Sequence, residues 1–308
     1  MEIIRNPNYD FLGKTKIFVA LSVLLIAGGI VTMASRGLRT GVEFSGGTQL
    51  IVRFAKAPAI DRVRRAVDKE ATGAVIQTYA EADKHQVLIR VAGVAEPDLS
   101  GQATRVLESL AANYSDNSVT ESSTEIVGPI VGQDLKWKAI QLTCWGLLFQ
   151  LIYIAIRFKG AVWGTAASLA ALHDVLVCIG FLAFFNYEIT LNVIAALLTL
   201  VGYSVNDTIV IFDRARENLR QRRKEPIAKV LNDSVNQTLT RTLISNGTTL
   251  LAVLGLFLFG GEVLRSFGFT MVVGIIVGTY STIFIATPLV VWWGERSSKA
   301  PQAVRAAL

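Results

Sequence analysis

The chain has 308 residues, 52% of them hydrophobic and 18% charged, with 30 Lys and Arg against 24 Asp and Glu for a formal net charge of +6. With a mean hydropathy of +0.46 and a pI near 9.4 it fits a membrane protein. Two cysteines and two histidines are too few for a disulfide framework or a His-rich metal site. In chain order, the first apolar run covers residues 15–35. It has a basic flank in Lys14 and Lys16, but it outlasts the apolar stretch of about 7–15 residues in a cleaved signal peptide. An uncleaved span is the better reading. Five further runs follow, at 136–156, 161–185, 189–212, 242–260 and 267–293. Each is long enough for the roughly 18–20 residues that cross about 30 Å of hydrocarbon. The expected class is a polytopic α-helical membrane protein with six transmembrane helices.

Between the first two spans, the segment 36–135 is large enough for one small α+β domain. Residues 48–54 alternate in polarity like a strand, and 58–71 carry Ile60, Val63 and Val67 at helical spacing with Pro58 at the start. Residues 74–79 and 86–92 read as strands joined by a charged turn at 81–84. A helix over 97–113 presents Leu99, Ala103, Val106, Leu107 and Leu110 on one face, and 118–127 is a last, weaker strand. The order β-α-β-β-α-β predicts a ferredoxin-like external (periplasmic) domain, a fold that by itself does not say what it binds. The expected layout is 1–35 for the N-terminus and first span, 36–135 for this domain, 136–294 for five helices and 295–308 for a polar tail.

Orientation follows from the basic residues. Arg214, Arg216, Arg220, Arg222, Arg223, Lys224 and Lys229 crowd one connection, 214–241. The opposite short connections hold Arg265 alone. Positive charge stays cytoplasmic, so both termini are expected inside. The same loop also suits anionic lipid headgroups, or it is only the topological anchor.

No Walker loop, G-x-S-x-G or H-E-x-x-H is present, and Ser45-Gly46-Gly47 reads as a tight turn into the first strand. Cys144 and Cys178 both fall in predicted spans. No metal, cofactor or nucleic acid is expected, and no enzymatic activity. What remains is the polar content of the spans. On the fourth, Thr199, Tyr203, Asn206, Asp207 and Val210 share a face; on the fifth, Gln237, Arg241, Ser245 and Thr248 line up. A carboxylate in hydrocarbon costs roughly 2.5–3.5 kcal/mol on insertion scales, so Asp207 must face protein or water. Arg241 enters from the same side and is the obvious counter-charge. Two readings stand. One is a static ion pair that sets helix register. In the other, Asp207 exchanges protons under the influence of Arg241, with Ser245 and Thr248 helping water reach it. Asp174, beside His173 in the third span, lies on a small-residue face, where packing and proton relay are both open.

These residues carry a resemblance. Gly41-Val-Glu-Phe-Ser-Gly-Gly-Thr48, Val127-Gly-Pro-Ile-Val-Gly132, Leu172-His-Asp-Val175, Val201-Gly-Tyr-Ser-Val-Asn-Asp-Thr208, Phe212-Asp-Arg-Ala-Arg-Glu-Asn218, Asn236-Gln-Thr-Leu-Thr-Arg-Thr242 and Phe259-Gly-Gly261 occur in order along nearly the whole chain. Together they resemble the SecF family, the smaller of the paired SecD/SecF subunits of bacterial protein export, in the RND superfamily. Glu43 stands where that family usually has aspartate. The resemblance implies a SecD-like partner half and a place beside the SecYEG channel in the bacterial inner membrane. It also implies unfolded preprotein as cargo, use of the proton-motive force at late stages of export, and Asp207, Arg241 and Ser245 as proton-pathway positions. Tyr203, Asn206, Asp174 and Thr248 are possible supporting residues. An RND exporter usually carries two six-span halves in one chain, and this chain has one. An intramembrane aspartyl protease using Asp174 and Asp207 would need facing carboxylates, and the Gly-x-Gly-Asp motif is absent. A scaffold without coupling is the third alternative, and it would tolerate Asp207→Asn.

Overall fold

The structure, a computed structural model, describes residues 7–72, 74–79, 85–92, 99–158 and 161–297. The charged turn expected at 81–84, Pro97 and most of the polar tail fall outside the described residues. The chain divides into two compact units. One is Thr40–Leu142 with Ile189–Leu191; the other is Met1–Arg39, Thr143–Glu188 and Asn192–Leu308.

Helix α1 (Thr15–Arg36) belongs to the second unit, and the first unit begins just after it. A single turn, α2 (Val42–Ser45), leads into strand β1 (Gly47–Phe54). Gly46 and Gly47 sit at φ 69° and 134°, a region closed to most side chains, so the Ser-Gly-Gly run makes the expected turn. A methyl on Gly132 would lie 3.0 Å from the Gly46 nitrogen, which brings the two glycine-bearing motifs of this unit together. Glu43 folds its carboxylate back over Gly41.

After β1 come α3 (Ile60–Val67), β2 (Val75–Tyr79), β3 (Gln86–Ala92), α4 (Leu99–Asn113) and β4 (Val119–Val127). The sheet order is β2-β3-β1-β4, with every neighbouring pair antiparallel. The register sets Leu50 opposite Ile89 and Val52 opposite Val87. Because side chains alternate along a strand, one face of the sheet collects most of the apolar residues. Leu50, Val52, Phe54, Val87 and Ile89 are buried there against Val63 and Val67 of α3 and Ala103, Val106 and Leu110 of α4. Each Val, Leu, Ile or Phe among them contributes roughly 1.5–3 kcal/mol by leaving water. The other face is polar. Arg90 donates to Gln49 at 3.0 Å, Gln49 donates to Glu125 at 3.1 Å, and Arg53 pairs with Glu121 at 2.9 Å.

Helix α5 (Pro129–Phe158) runs from this unit into the second and contains the stretch expected as the second span. It is followed by α6 (Ala161–Phe184), α7 (Leu191–Gln221), α8 (Ile227–Phe259) and α9 (Gly261–Ser281). A π-helical segment, Thr282–Ala286, leads into α10 (Thr287–Ser297). Among the described residues five stretches are long and apolar enough to cross a membrane: Leu12–Arg36, Ala161–Phe184, Leu191–Gln221, Ile227–Phe259 and Leu264–Arg296.

The basic connection read as a loop over 214–241 is largely helical. Helix α7 continues to Gln221 and α8 starts at Ile227, directly after Pro226, whose fixed φ and missing N–H suit a helix start. The two helices hold each other beyond their apolar parts. Asn218 donates to Ser234 at 2.8 Å, Arg214 to Gln237 at 2.6 Å, and Arg222 pairs with Asp233 at 2.7 Å. These side-chain hydrogen bonds add to apolar packing that continues here through Ala215, Leu231 and Val235.

The bundle core centres on Trp163, packed edge-on to Phe212 with ring centroids 5.0 Å apart. Helices α1 and α6 cross at two glycines, and a methyl on Gly29 would come within 2.8 Å of the Gly180 Cα. Small residues here let the backbones approach closely, the usual means of helix association where lipid weakens the hydrophobic drive. The chain before α1 is held by two asparagines one turn apart on α8. Asn232 accepts from the Phe11 and Leu12 amides and donates to the Tyr9 carbonyl; Asn236 exchanges bonds with both backbone groups of Tyr9.

Candidate functional site

Asp207 lies in the middle of α7, 5% exposed, on the face turned toward α8 and α9. Its carboxylate accepts a hydrogen bond from Asn246 Nδ2 of α8 at 2.5 Å. The second Asn246 N–H points to Thr279 Oγ1 of α9 at 2.7 Å, and the Tyr203 hydroxyl donates to Asn246 Oδ1 at 2.9 Å. One amide thus spends both protons and its oxygen on three partners and clips α7, α8 and α9 together.

Arg241 does not complete this cluster. It is exposed, and among the described residues it forms no ion pair within 4 Å. The expected Asp207–Arg241 pair is therefore not formed, and a neutral amide stands against the buried carboxylate. The reason lies in helix rotation. Asp207 points inward, whereas Arg241 leaves α8 on an exposed side. Arg241 lines an open cleft of about 430 Å³ with Asn206, Asp213, Arg214, Glu217, Gln237 and Thr238. Asn206 precedes Asp207 in the chain, so the cleft reaches the residue next to the buried acid.

The other expected residues divide. Tyr203 joins the Asp207 cluster through Asn246, and Asn206 and Arg241 meet in the cleft. Ser245 takes part through its carbonyl, which accepts from Tyr203 at 3.3 Å and from Thr248 at 2.9 Å. Thr248 is exposed and bonds back to its own helix, so it is not brought to Asp207.

Asp174 belongs to a second buried cluster. It is 1% exposed, with His173 Nδ1 2.9 Å from Oδ1, and Ser204 Oγ at 2.5 Å and Ser281 Oγ at 2.9 Å from Oδ2. The two carboxylates take their hydrogen bonds from different residues; they do not share a donor. Asn246, Thr279, Ser204 and Ser281 went unnoticed in the sequence. The available signal was polar residues inside apolar runs, but nothing there said which of them faced inward.

Membrane-length helices clipped together around buried acids, in one chain with a small α/β unit, define a polytopic membrane protein with an intramembrane polar site. A family model for the C-terminal part of the protein export membrane proteins SecD and SecF matches residues 106–296. The chain is 41% identical over 298 residues to the protein translocase subunit SecF of Rhodothermus marinus, which covers 94% of this chain and 95% of that protein. It is 40% identical over 294 residues to the SecF subunit of Calditerrivibrio nitroreducens, at 94% and 96% coverage. The crystal structure of SecDF, a translocon-associated membrane protein from Thermus thermophilus, superposes with a TM-score of 0.83 at 34% identity. That match covers 94% of this chain but 39% of the longer SecDF chain. The chain belongs to the SecD/SecF family of protein export membrane proteins, on its SecF side.

Proposed function

We propose that this chain pairs with a SecD-like half beside the SecYEG channel and uses the proton-motive force to promote late steps of preprotein export across the bacterial inner membrane. In this reading it performs no covalent chemistry, and Asp207 is the group that gains and loses the proton. The observation that carries it is the buried Asp207 carboxylate, met by one neutral amide and adjoining a cleft that holds Arg241. Protonation would remove a charge from the point where α7, α8 and α9 are joined, so the two protonation states favour different packings of these helices. One proton crossing about 100 mV supplies about 2.3 kcal/mol, enough to bias such a choice.

Further features support the same reading. Helix α5 would be the sixth span: it is 30 residues long and exposes Trp145, Leu148, Phe149, Leu151 and Ile152. The βαββαβ order with strands arranged β2-β3-β1-β4 suits a ferredoxin-like periplasmic domain. The basic residues clustered at the end of α7 and the start of α8 support a reading with both termini in the cytoplasm. Within this chain the apolar stretch of α8 is little buried, as is that of α1, whereas Leu264–Arg296 is mostly buried. That open α8 face would take the partner half, as in repeat-built transporters.

The test is export of a signal-bearing preprotein into energised inverted vesicles that contain the partner, comparing wild type with Asp207→Asn at equal protein level and equal partner binding. Loss of the proton-dependent stimulation is expected. Unchanged stimulation would leave Asp207 a structural group and the chain an assembly scaffold.

A further inference from the structure

The second buried cluster extends beyond Asp174. His173 Nδ1 faces Asp174, and its other nitrogen, Nε2, is 3.0 Å from the Tyr280 hydroxyl of α9. That hydroxyl is 2.6 Å from Ser22 Oγ of α1, and Ser22 is 3% exposed. The result is one unbroken line of groups, Ser22–Tyr280–His173–Asp174, with Ser204 and Ser281 anchoring its acid end. It joins α1, α6, α7 and α9. None of these groups takes part in the Asp207 cluster.

We propose that His173 and Asp174 form a second proton-holding site and that Tyr280 and Ser22 are the relay that loads it. The first reason is charge. Among the described residues Asp174 pairs with no lysine or arginine, so one proton shared between His173 and Asp174 changes the net charge of the dyad by one unit with no neighbouring cation to offset it. Burial penalises net charge, so one added proton changes the stability of this junction. The second reason is geometry. Nδ1 beside the carboxylate is a donor in both forms. Nε2 accepts from Tyr280 when the imidazole is neutral and donates to it when charged, and the Tyr280 and Ser22 hydroxyls can each reverse direction to match. Both states therefore leave every group in the line with a partner. The third reason is chemical class: histidine is the side chain whose ordinary titration falls within physiological pH.

Loading balances simply. Ser22 takes a proton from hydronium and passes its own to Tyr280, while Tyr280 passes its own to Nε2. One O–H bond breaks and one forms at each hydroxyl, a new N–H bond forms, and a water molecule is left. The groups facing the dyad are known. On its own helix Cys178 lies one turn along; α9 presents Tyr280 and Ser281, and α1 presents Ser22. Helix α7 presents Ser204, with Asp207 three residues further on, and Thr208 bonds to Thr282 at 3.1 Å at the start of the π-helical segment. Helix α10 carries its charges, Glu295 and Arg296, at its far end.

The site is independent of the role proposed for Asp207, and its test reads an imidazole, not export. The sequence has two histidines, and His85 sits at φ 50°, where asparagine is readily accepted. In His85→Asn, His173 is therefore the sole imidazole. The full chain, labelled with 15N-histidine and held in lipid bilayers, is followed by solid-state NMR from about pH 5 to about pH 9, the range around ordinary histidine titration. The Nε2 signal should convert reversibly between neutral and charged positions. Asp174→Asn should remove the charged form over the same range, and Tyr280→Phe should slow exchange between the two forms about tenfold or more. A single unchanging imidazole spectrum would overturn the site. Titration with an exchange rate indifferent to Tyr280→Phe would overturn the relay.

Discussion

The two units of this molecule place their polar residues in opposite ways. In the sheet unit the core is apolar, with Leu50, Val52, Phe54, Val87 and Ile89 under two helices, and the ion pairs Arg53–Glu121 and Arg62–Asp116 lie on the surface. In the helical unit Trp145, Phe149 and Leu151 face outward, while Asp174, Asp207, Asn246, Ser281 and Thr282 are buried. Water and lipid account for the difference. Against water, apolar burial drives assembly. Against lipid the outside is already apolar, and helices are held by close backbone approach and by hydrogen bonds that have no better partner. The contrast also explains why the buried acids lie in the helical unit. Interhelical polar contacts are what hold helices in lipid, and an acid among them can change charge.

The largest expected effect is functional. Asp207→Asn should abolish the proton-dependent part of export while leaving the fold intact, as measured by preprotein transport into energised vesicles. Next comes apolar burial in the sheet unit. Leu50→Ala should lower the stability of β1 and β3 by about 2–5 kcal/mol, read from hydrogen exchange of their amides in the full chain. The same deletion at Leu151, 48% exposed on α5, should cost within about 0.5 kcal/mol. Equal costs at the two positions would break the comparison.

Asn246→Leu tests its other half. It keeps the branched skeleton but removes the donor to Asp207 and the acceptor for Tyr203, and should cost about 1–3 kcal/mol in detergent-induced unfolding. A neutral result would mean that the amide does not hold the three helices. The smallest effect is at the surface of the sheet unit. The Arg62 guanidinium, hydrogen bonded to Asp116 at 2.6 Å, holds its carboxyl below the usual carboxylate range. The unfolded chain then binds this proton more readily than the folded one. The contribution is present above the ordinary carboxylate pKa of about 3.9 and is lost as pH falls through the lower folded value. Asp116→Asn should therefore flatten the acid limb of the stability curve slightly, seen in urea unfolding at a series of pH values.

Much of this protein was legible in its residues. The strands and helices of the sheet unit follow from alternation and from apolar spacing of three and four, because each element must bury one face. Five of the six long apolar runs read equally well, because lipid demands length and composition and little else. Asp207 and Asp174 stood out because a carboxylate in such a run is costly wherever it points. What those acids touch was decided by tertiary structure alone. A helical face seen in sequence leaves open how α7 and α8 are rotated about their axes, and that rotation turned Arg241 out to a cleft and Asn246 in to Asp207. The line Ser22–Tyr280–His173–Asp174 joins residues as far apart as 258 positions, and no periodicity reports such a meeting. Local pattern records which surface a residue prefers; only the packing of one helix on another selects its partner.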